Sequence, residues 1–309
     1  MPGPQDIDAL LDRRLVVVTG KGGTGKSSLS AAIALAAARR GKKVLVCEVV
    51  ARERVSELLG RPPSGTQIRE LLPNLYSVHV RPQQAMREYA LMTIKYETLY
   101  KLAFENAAAR YFLAAAPSLA EIVMLGKVWW HASQELERGK LRWDLVVLDA
   151  PATGHGITFL TVPNVFLRLV QDGPLARDMR GMQSMLADDR LCKVCIVTLP
   201  EEMPANEAIE LHAALAKHNL PAGPLFLNSW FESRFSAPEL QQIARGGPKL
   251  TAAAEAADNH ESRAALSLHY EKVLREALPR RLVKVPFLFD RQFGLGSIEK
   301  IATVLEPAL

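Results

Sequence analysis

Residues 20–27 read Gly-Lys-Gly-Gly-Thr-Gly-Lys-Ser. They lie between a short β-branched run (15–19, LVVVT) and an Ala-rich stretch of strong helix formers. A chain that leaves a strand, turns through glycines and enters a helix at once has few folds open to it. The glycines let backbone N–H groups wrap an anion, and the helix adds the positive end of its dipole. The spacing G-x-x-x-x-G-K-[ST] makes Gly20, Lys21, Gly22, Gly23, Thr24, Gly25, Lys26, Ser27 and Ser28 a candidate phosphate cradle. In such a cradle Lys26 reaches the β- and γ-phosphate oxygens, Ser27 Oγ ligates Mg2+ and Ser28 touches the α-phosphate.

Further apolar runs recur at 44–47, 145–149, 194–198, 225–228 and 282–285. Most are continuous rather than alternating, as strands buried on both faces of a parallel sheet should be. Their alternation with helical patterns predicts a single α/β domain over 1–309, with a doubly wound, mostly parallel sheet. Residues 83–139 break the rhythm. They carry no strand signal and two helical stretches, 85–116 and 118–137, separated by Pro117, and so predict a helical insertion subdomain. A second helical excursion is expected over 165–190. Its Met179, Met182 and Met185 recur every three residues. They fill either the core or the lip of an adaptable apolar groove.

Composition excludes several classes. The 38 Lys+Arg against 33 Asp+Glu give a net charge of +5, without the clustered cations of a nucleic-acid binder. The apolar runs fall well short of the ~20 residues that span a bilayer, so no stable membrane insertion is expected. Three cysteines in 309 residues fit a reducing cytoplasm better than a disulfide scaffold.

Asp149 ends the run 145–149, where a carboxylate facing the phosphate loop suits a Walker B role beside the metal. Lys21 adds a cation at the second position of the loop. The run Lys-Gly-Gly-x-Gly-Lys-Ser resembles the deviant Walker A motif of the group containing MinD, ParA, nitrogenase iron protein and the arsenite-pump ATPase ArsA. Asp149-Ala150-Pro151-Ala152-Thr153-Gly154-His155 resembles the switch II of ArsA and of the tail-anchored protein targeting ATPases. The segment 199–207 (LPEEMPANE) resembles the P-E-x5-E element of that branch, and 116–121 its A-P-G-x-x-E element. The resemblance implies a P-loop ATPase that binds ATP and Mg2+ at a dimer interface. It implies Lys21 acting on the partner's nucleotide, Ser27 and Asp149 at the metal, and Asn228, Pro286 and Phe287 around adenine. It also implies an apolar helix, a lipid-like molecule or a protein as client of the helical region.

Two departures qualify this reading. The second strand of the branch ends in an Asp that positions the attacking water, and here Val50 stands in that place. Glu48 is the nearest carboxylate and, in a continuing strand, would point to the same side about 6–7 Å away. It is either a substitute catalytic group or a locally hydrogen-bonded one. Cys192-x-x-Cys195 has a metal-like spacing but falls within a strand signal, far from the zinc pair of the targeting ATPases. The expected function is a dimeric ATPase switching a helical client- or partner-binding region. Its first alternative is a hydrolysis-poor ATP-binding subunit paired with a catalytic paralogue; its second is a MinD/ParA-type positioning ATPase.

Overall fold

The computed structural model describes residues 10–94, 117–169, 172–247, 250–279 and 281–309. The six apolar runs become strands β1 (Leu15–Gly20), β2 (Val44–Glu48), β7 (Leu145–Asp149), β8 (Cys192–Thr198), β9 (Ala222–Trp230) and β10 (Leu282–Pro286). Between β2 and β7 the chain adds a hairpin that the apolar pattern does not mark, β3 (Arg69–Leu72) and β4 (Leu75–His79). The eight strands pair in the order β10-β9-β8-β1-β7-β2-β4-β3, parallel throughout except for β3 against β4. β3 is a half-exposed edge, which explains why its residues read as polar.

Helices cover both faces. On one side α1 (Lys26–Arg39) lies in a groove between the sheet and α10 (Leu295–Leu305), with Leu29 and Ile33 fully buried against Ile298, Ile301 and Leu305. Its alanines are equally buried, and their small side chains allow this close approach. On the other side lie α4 (Pro117–Ser133), α5 (Thr153–Leu169), α6 (Pro174–Ala187) and α7 (Glu202–Lys217). Remaining helices are α2 (Val55–Leu58), α3 (Pro82–Ile94), α8 (Ala237–Ala244) and α9 (Thr251–Ala277).

The helical insertion is present as α3 and α4, but its bounds differ from those expected. Helix α4 ends at Ser133, and a short pair, β5 (Leu136–Glu137) and β6 (Lys140–Leu141), follows it across the positive-φ residues Arg138 and Gly139. The part of the expected first helix holding Tyr96, Leu99 and Leu102 lies outside the described residues. The Arg14 guanidinium ties the end of α4 to the sheet. Arg14 donates to the carbonyls of Ala132, Trp143 and Asp144, tying the end of α4 to the starts of β1 and β7.

The stretch expected as the second excursion carries parts of two helices. These are α5, beginning at Thr153, and α6, beginning at Pro174, with Gly173 at φ 97° as the N-cap of α6. Pro163 lies within α5. Met179, Met182 and Met185 of α6 are 2–4% exposed and pack into the core, and Met182 also lines a cavity between α3, α4 and α6. Cys192 and Cys195, three positions apart on β8, fall on opposite faces of the sheet, one in each hydrophobic core. That alternation keeps them from sharing a metal ion.

Glycine is required where β1 ends. At Gly20 φ is +148°, and a Cβ there would lie 2.2 Å from the Val197 carbonyl oxygen of the neighbouring strand. Gly20→Ala is predicted to destabilise the protein by at least about 1–3 kcal/mol. Chemical denaturation checks this, and an unchanged midpoint would contradict it.

Candidate functional site: a phosphate-loop cavity

Strand order reverses around β1, since the chain runs from β1 past β7 to β2 and later returns on the other side through β8. In open α/β sheets such a switch point leaves a crevice at the carboxyl ends of the strands. The loop 20–25 occupies it. Gly25, at φ 92°, is the N-cap of α1 and aims the helix N-terminus at the crevice. A Cβ at Gly25 would meet Asn228 Nδ2 at 2.3 Å, so the loop is packed closely from behind. Asn228, near the end of β9, donates from that Nδ2 to the Thr24 carbonyl at 2.8 Å.

A cavity of about 520 Å3 lies in front of the loop. Gly23, Gly25, Lys26, Ser27 and Ser28 form one wall, and residues 49–51 with Arg54 and Leu58 another. Pro151 and Ala152, of the segment after β7, complete it. Ser27 Oγ donates to Asp149 Oδ2 at 2.6 Å, and Ser30 Oγ, one turn further along α1, reaches Oδ1 at 3.4 Å. The structure therefore brings together Ser27 and Asp149, which are 122 residues apart in sequence. Burial lifts the Asp149 carboxyl to about 6, against the opposing hydroxyl of Ser27 and the charge of Lys26. A fully buried carboxylate held by hydroxyls and one lysine is short of positive charge. This oxygen donor set suits a hard cation such as Mg2+, which uses one or two carboxylates together with substrate phosphates.

The two loop lysines have resting contacts. Lys26 Nζ donates to the Lys21 carbonyl at 2.9 Å, a bond that Thr24 Oγ1 shares at 3.0 Å. Burial draws the Lys26 ammonium below its ordinary range, and Asp149 opposes this. Lys21 Nζ pairs with Glu207 Oε1 of α7 at 2.7 Å, which gives the second glutamate of the P-E-x5-E segment a partner on the loop.

Glu48 and Val50 separate. The strand stops at Glu48, so its two-residue alternation does not continue to position 50. Val50 lines the cavity, whereas Glu48 is fully buried behind the loop 49–54. Its Oε2 accepts the Arg54 and Val55 amides at 2.7 and 3.0 Å, at the start of α2, and its Oε1 accepts Ser77 Oγ at 3.1 Å. Burial raises Glu48 to about 7 despite these donors. Of the expected adenine group, Asn228 touches the loop, but Pro286 and Phe287 do not line the cavity. Phe287 stacks on Phe231 with ring centroids 4.6 Å apart. Arg54 and Ser30 escape the sequence reading. Ser30 was findable, three residues after Ser27 on the same helix face; Arg54 has no motif and owes its place to the Glu48 cap.

The sequence model of the family described as Anion-transporting ATPase matches residues 13–173, from the start of β1 through α5. A putative ATPase of Mycobacterium bovis and the ATPase BagA of Mycobacterium tuberculosis are each 30% identical over 239 residues, 75% of this chain and 70% of theirs. The ATPase GET3 of Kluyveromyces lactis is 24% identical over 199 residues, 58% of this chain and 57% of its own. The chain belongs to the Anion-transporting ATPase family, the ArsA-like P-loop ATPases.

Because Glu48 holds its proton more tightly when folded (about 7) than in its ordinary range near 4.5, deprotonation costs stability. Its contribution is greatest below about pH 4.5 and falls as pH rises towards 7. Glu48→Gln keeps an oxygen acceptor for the two amides and places an Nε2 donor where Oε1 accepted from Ser77, whose hydroxyl can turn to accept. It is predicted to flatten the loss of unfolding free energy between about pH 5 and 7. A variant as pH-sensitive as the wild type would contradict this.

Proposed function

We propose that the 520 Å3 cavity binds Mg2+-ATP and that the protein is a dimeric ATPase coupling nucleotide state to its helical insertion. The observation that carries this reading is the Ser27–Asp149 contact beneath a glycine loop at a helix N-terminus. Ser27 and Asp149 hold the metal, which when bound neutralises developing charge on the phosphates. Lys26 leaves the Lys21 carbonyl for the β- and γ-phosphates. Arg54, on the opposite wall, adds charge to the same anion.

Lys21 acts on the partner protomer's nucleotide in this reading, which requires it to leave Glu207. A half-exposed ion pair is worth only about 0–1 kcal/mol, so the exchange costs little once a phosphate is available. The segment after Asp149 reports the γ-phosphate to α5 and the insertion, whose client is an apolar helix, a lipid-like molecule or a protein. Hydrolysis then times a conformational cycle rather than making a metabolite. The expected compartment is the cytoplasm; among the described residues no helix is long and apolar enough to cross a membrane.

A second reading has its own support. Val50 lines the cavity and offers no proton acceptor, while the Glu48 carboxylate is committed to backbone amides. Both favour a subunit that binds ATP, hydrolyses it poorly and pairs with a catalytic paralogue.

Phosphate release from Mg2+-ATP by the purified chain separates the two. The self-sufficient ATPase predicts turnover that Lys26→Ala abolishes. It also predicts that Lys21→Gln lowers kcat by about 10³-fold or more while leaving ATP affinity within a few-fold, as loss of a trans-acting cation should. The hydrolysis-poor subunit predicts ATP binding with negligible turnover, and a gain of at least about tenfold in Val50→Asp. Failure to bind ATP at all would contradict both.

A further inference from the structure

The described lining of the phosphate-loop cavity holds two cations, Lys26 and Arg54, and no acid. Lys26 rests on the Lys21 carbonyl, whereas the exposed Arg54 guanidinium makes no hydrogen bond or ion pair among the described residues. Three glutamates lie within six positions of Arg54 in the sequence, and each is already taken. Glu57 pairs with Arg52 at 3.1 Å. Glu53 accepts the amides of Ser64 and Gly65 and the Ser56 hydroxyl. Glu48 accepts the amides of Arg54 itself and of Val55. An unpaired guanidinium on the wall of an acid-free cavity presents its planar fork of donors to an anion that enters.

The backbone fixes where Arg54 stands. Its amide donates to Glu48 Oε2 at 2.7 Å and that of Val55 at 3.0 Å, so a side chain of β2 caps α2, whose own N-cap, Arg54, supplies no side-chain cap. A glutamate oxygen accepts these amides whether or not the carboxyl is ionised. A second anchor lies four residues earlier, where His79 Nε2 donates to the Val50 carbonyl at 2.7 Å. A carbonyl only accepts, so Nε2 carries a proton in either charge state of the ring. The Val49 amide donates to the Asp149 carbonyl at 3.0 Å. The loop 49–54 therefore leaves the sheet beside the carboxylate that holds Ser27, and it faces Gly23, Gly25 and Ser28 across the cavity. The glycine loop and Ser28 hold the inner phosphates of a nucleotide, so the wall opposite meets the terminal one.

We propose that Arg54 is the residue by which the site tells a nucleoside triphosphate from a diphosphate, and that Glu48 is its positioning residue, holding the Arg54 backbone so that the guanidinium meets the γ-phosphate. The proposal rests on the ATP-binding reading and deepens it. The Val50 side chain offers that phosphate nothing polar, so the contribution of this loop falls to Arg54.

The test is calorimetry of the full chain with Mg2+ and two probes, β,γ-imido-ATP and ADP. The probes differ in the terminal phosphate, and the imido bridge removes turnover from the measurement. Arg54→Ala, at an exposed position, should lose about tenfold or more in affinity for the triphosphate and less than about threefold for ADP. Glu48→Ala should show the same selective loss, and Glu48→Gln should keep the wild-type ratio of the two affinities. The double variant of Glu48→Ala and Arg54→Ala should lose no more than Arg54→Ala alone. A merely structural Glu48 would weaken both nucleotides alike or neither. If Glu48→Ala fails to fold, His79→Leu, which releases the loop at Val50, takes its place with an expected selective loss of about threefold or more. Four results would each overturn the proposal while ATP binding stands: equal losses for the two probes in Arg54→Ala; an unchanged ratio in folded Glu48→Ala or, in its place, His79→Leu; a Glu48→Gln ratio as low as that of Glu48→Ala; or additive losses in the double variant. A wild-type chain that binds neither probe would overturn the proposal and the ATP-binding reading together.

Discussion

A carboxylate with no exposed surface at the end of a central strand is the constraint on which the site depends. Asp149 is paired in register with Val18 of β1 and Glu48 of β2, so two acids stand side by side within the sheet. Neither position is comfortable for a charge in a low-dielectric interior, and both carboxyls rise accordingly. The protein treats them differently. Asp149 faces α1 and takes hydroxyls from Ser27 and Ser30, which leaves it in need of a cation. Glu48, on the same face of the sheet, takes the backbone amides of Arg54 and Val55 at the start of α2, which makes it a structural acceptor.

That second arrangement gives the loop 49–54 a fixed shape. The Val50 carbonyl lies 2.7 Å from His79 Nε2 at the end of β4, so the loop is held both at Val50 and at the start of α2. Glu53 accepts the amides of Ser64 and Gly65, while the Gly65 carbonyl accepts the His79 amide at 2.7 Å. Residues 66–68 follow directly and line the cavity between α3, α4 and α6. A contiguous set of hydrogen bonds thus joins one wall of the phosphate-loop cavity to one wall of the other.

The glycine loop, the six buried strands and the strand-end position of Asp149 were legible because each rests on local chemistry. Continuous β-branched runs need burial on both faces, and a loop of glycines before a helix has one common use. The β3–β4 hairpin was not legible, because an edge strand exposes polar residues and loses its pattern. The fate of Glu48 was hidden for a related reason. Its direction depends on where β2 stops, and a strand end is fixed by the following turn rather than by apolar period. Arg54 and the Lys21–Glu207 pair lay beyond periodicity altogether, since α7 meets the loop only after the sheet has formed. The cavity between α3, α4 and α6 is likewise a product of three packed helices and a loop.

The most direct test of the central claim is the affinity for ATP, by calorimetry, with and without Mg2+, in the wild type and in Asp149→Asn. If Ser27 and Asp149 hold a metal against the phosphates, Mg2+ should tighten wild-type binding by about tenfold or more and change Asp149→Asn little. Equal dependence on Mg2+ in the two proteins would contradict a metal role for the buried carboxylate.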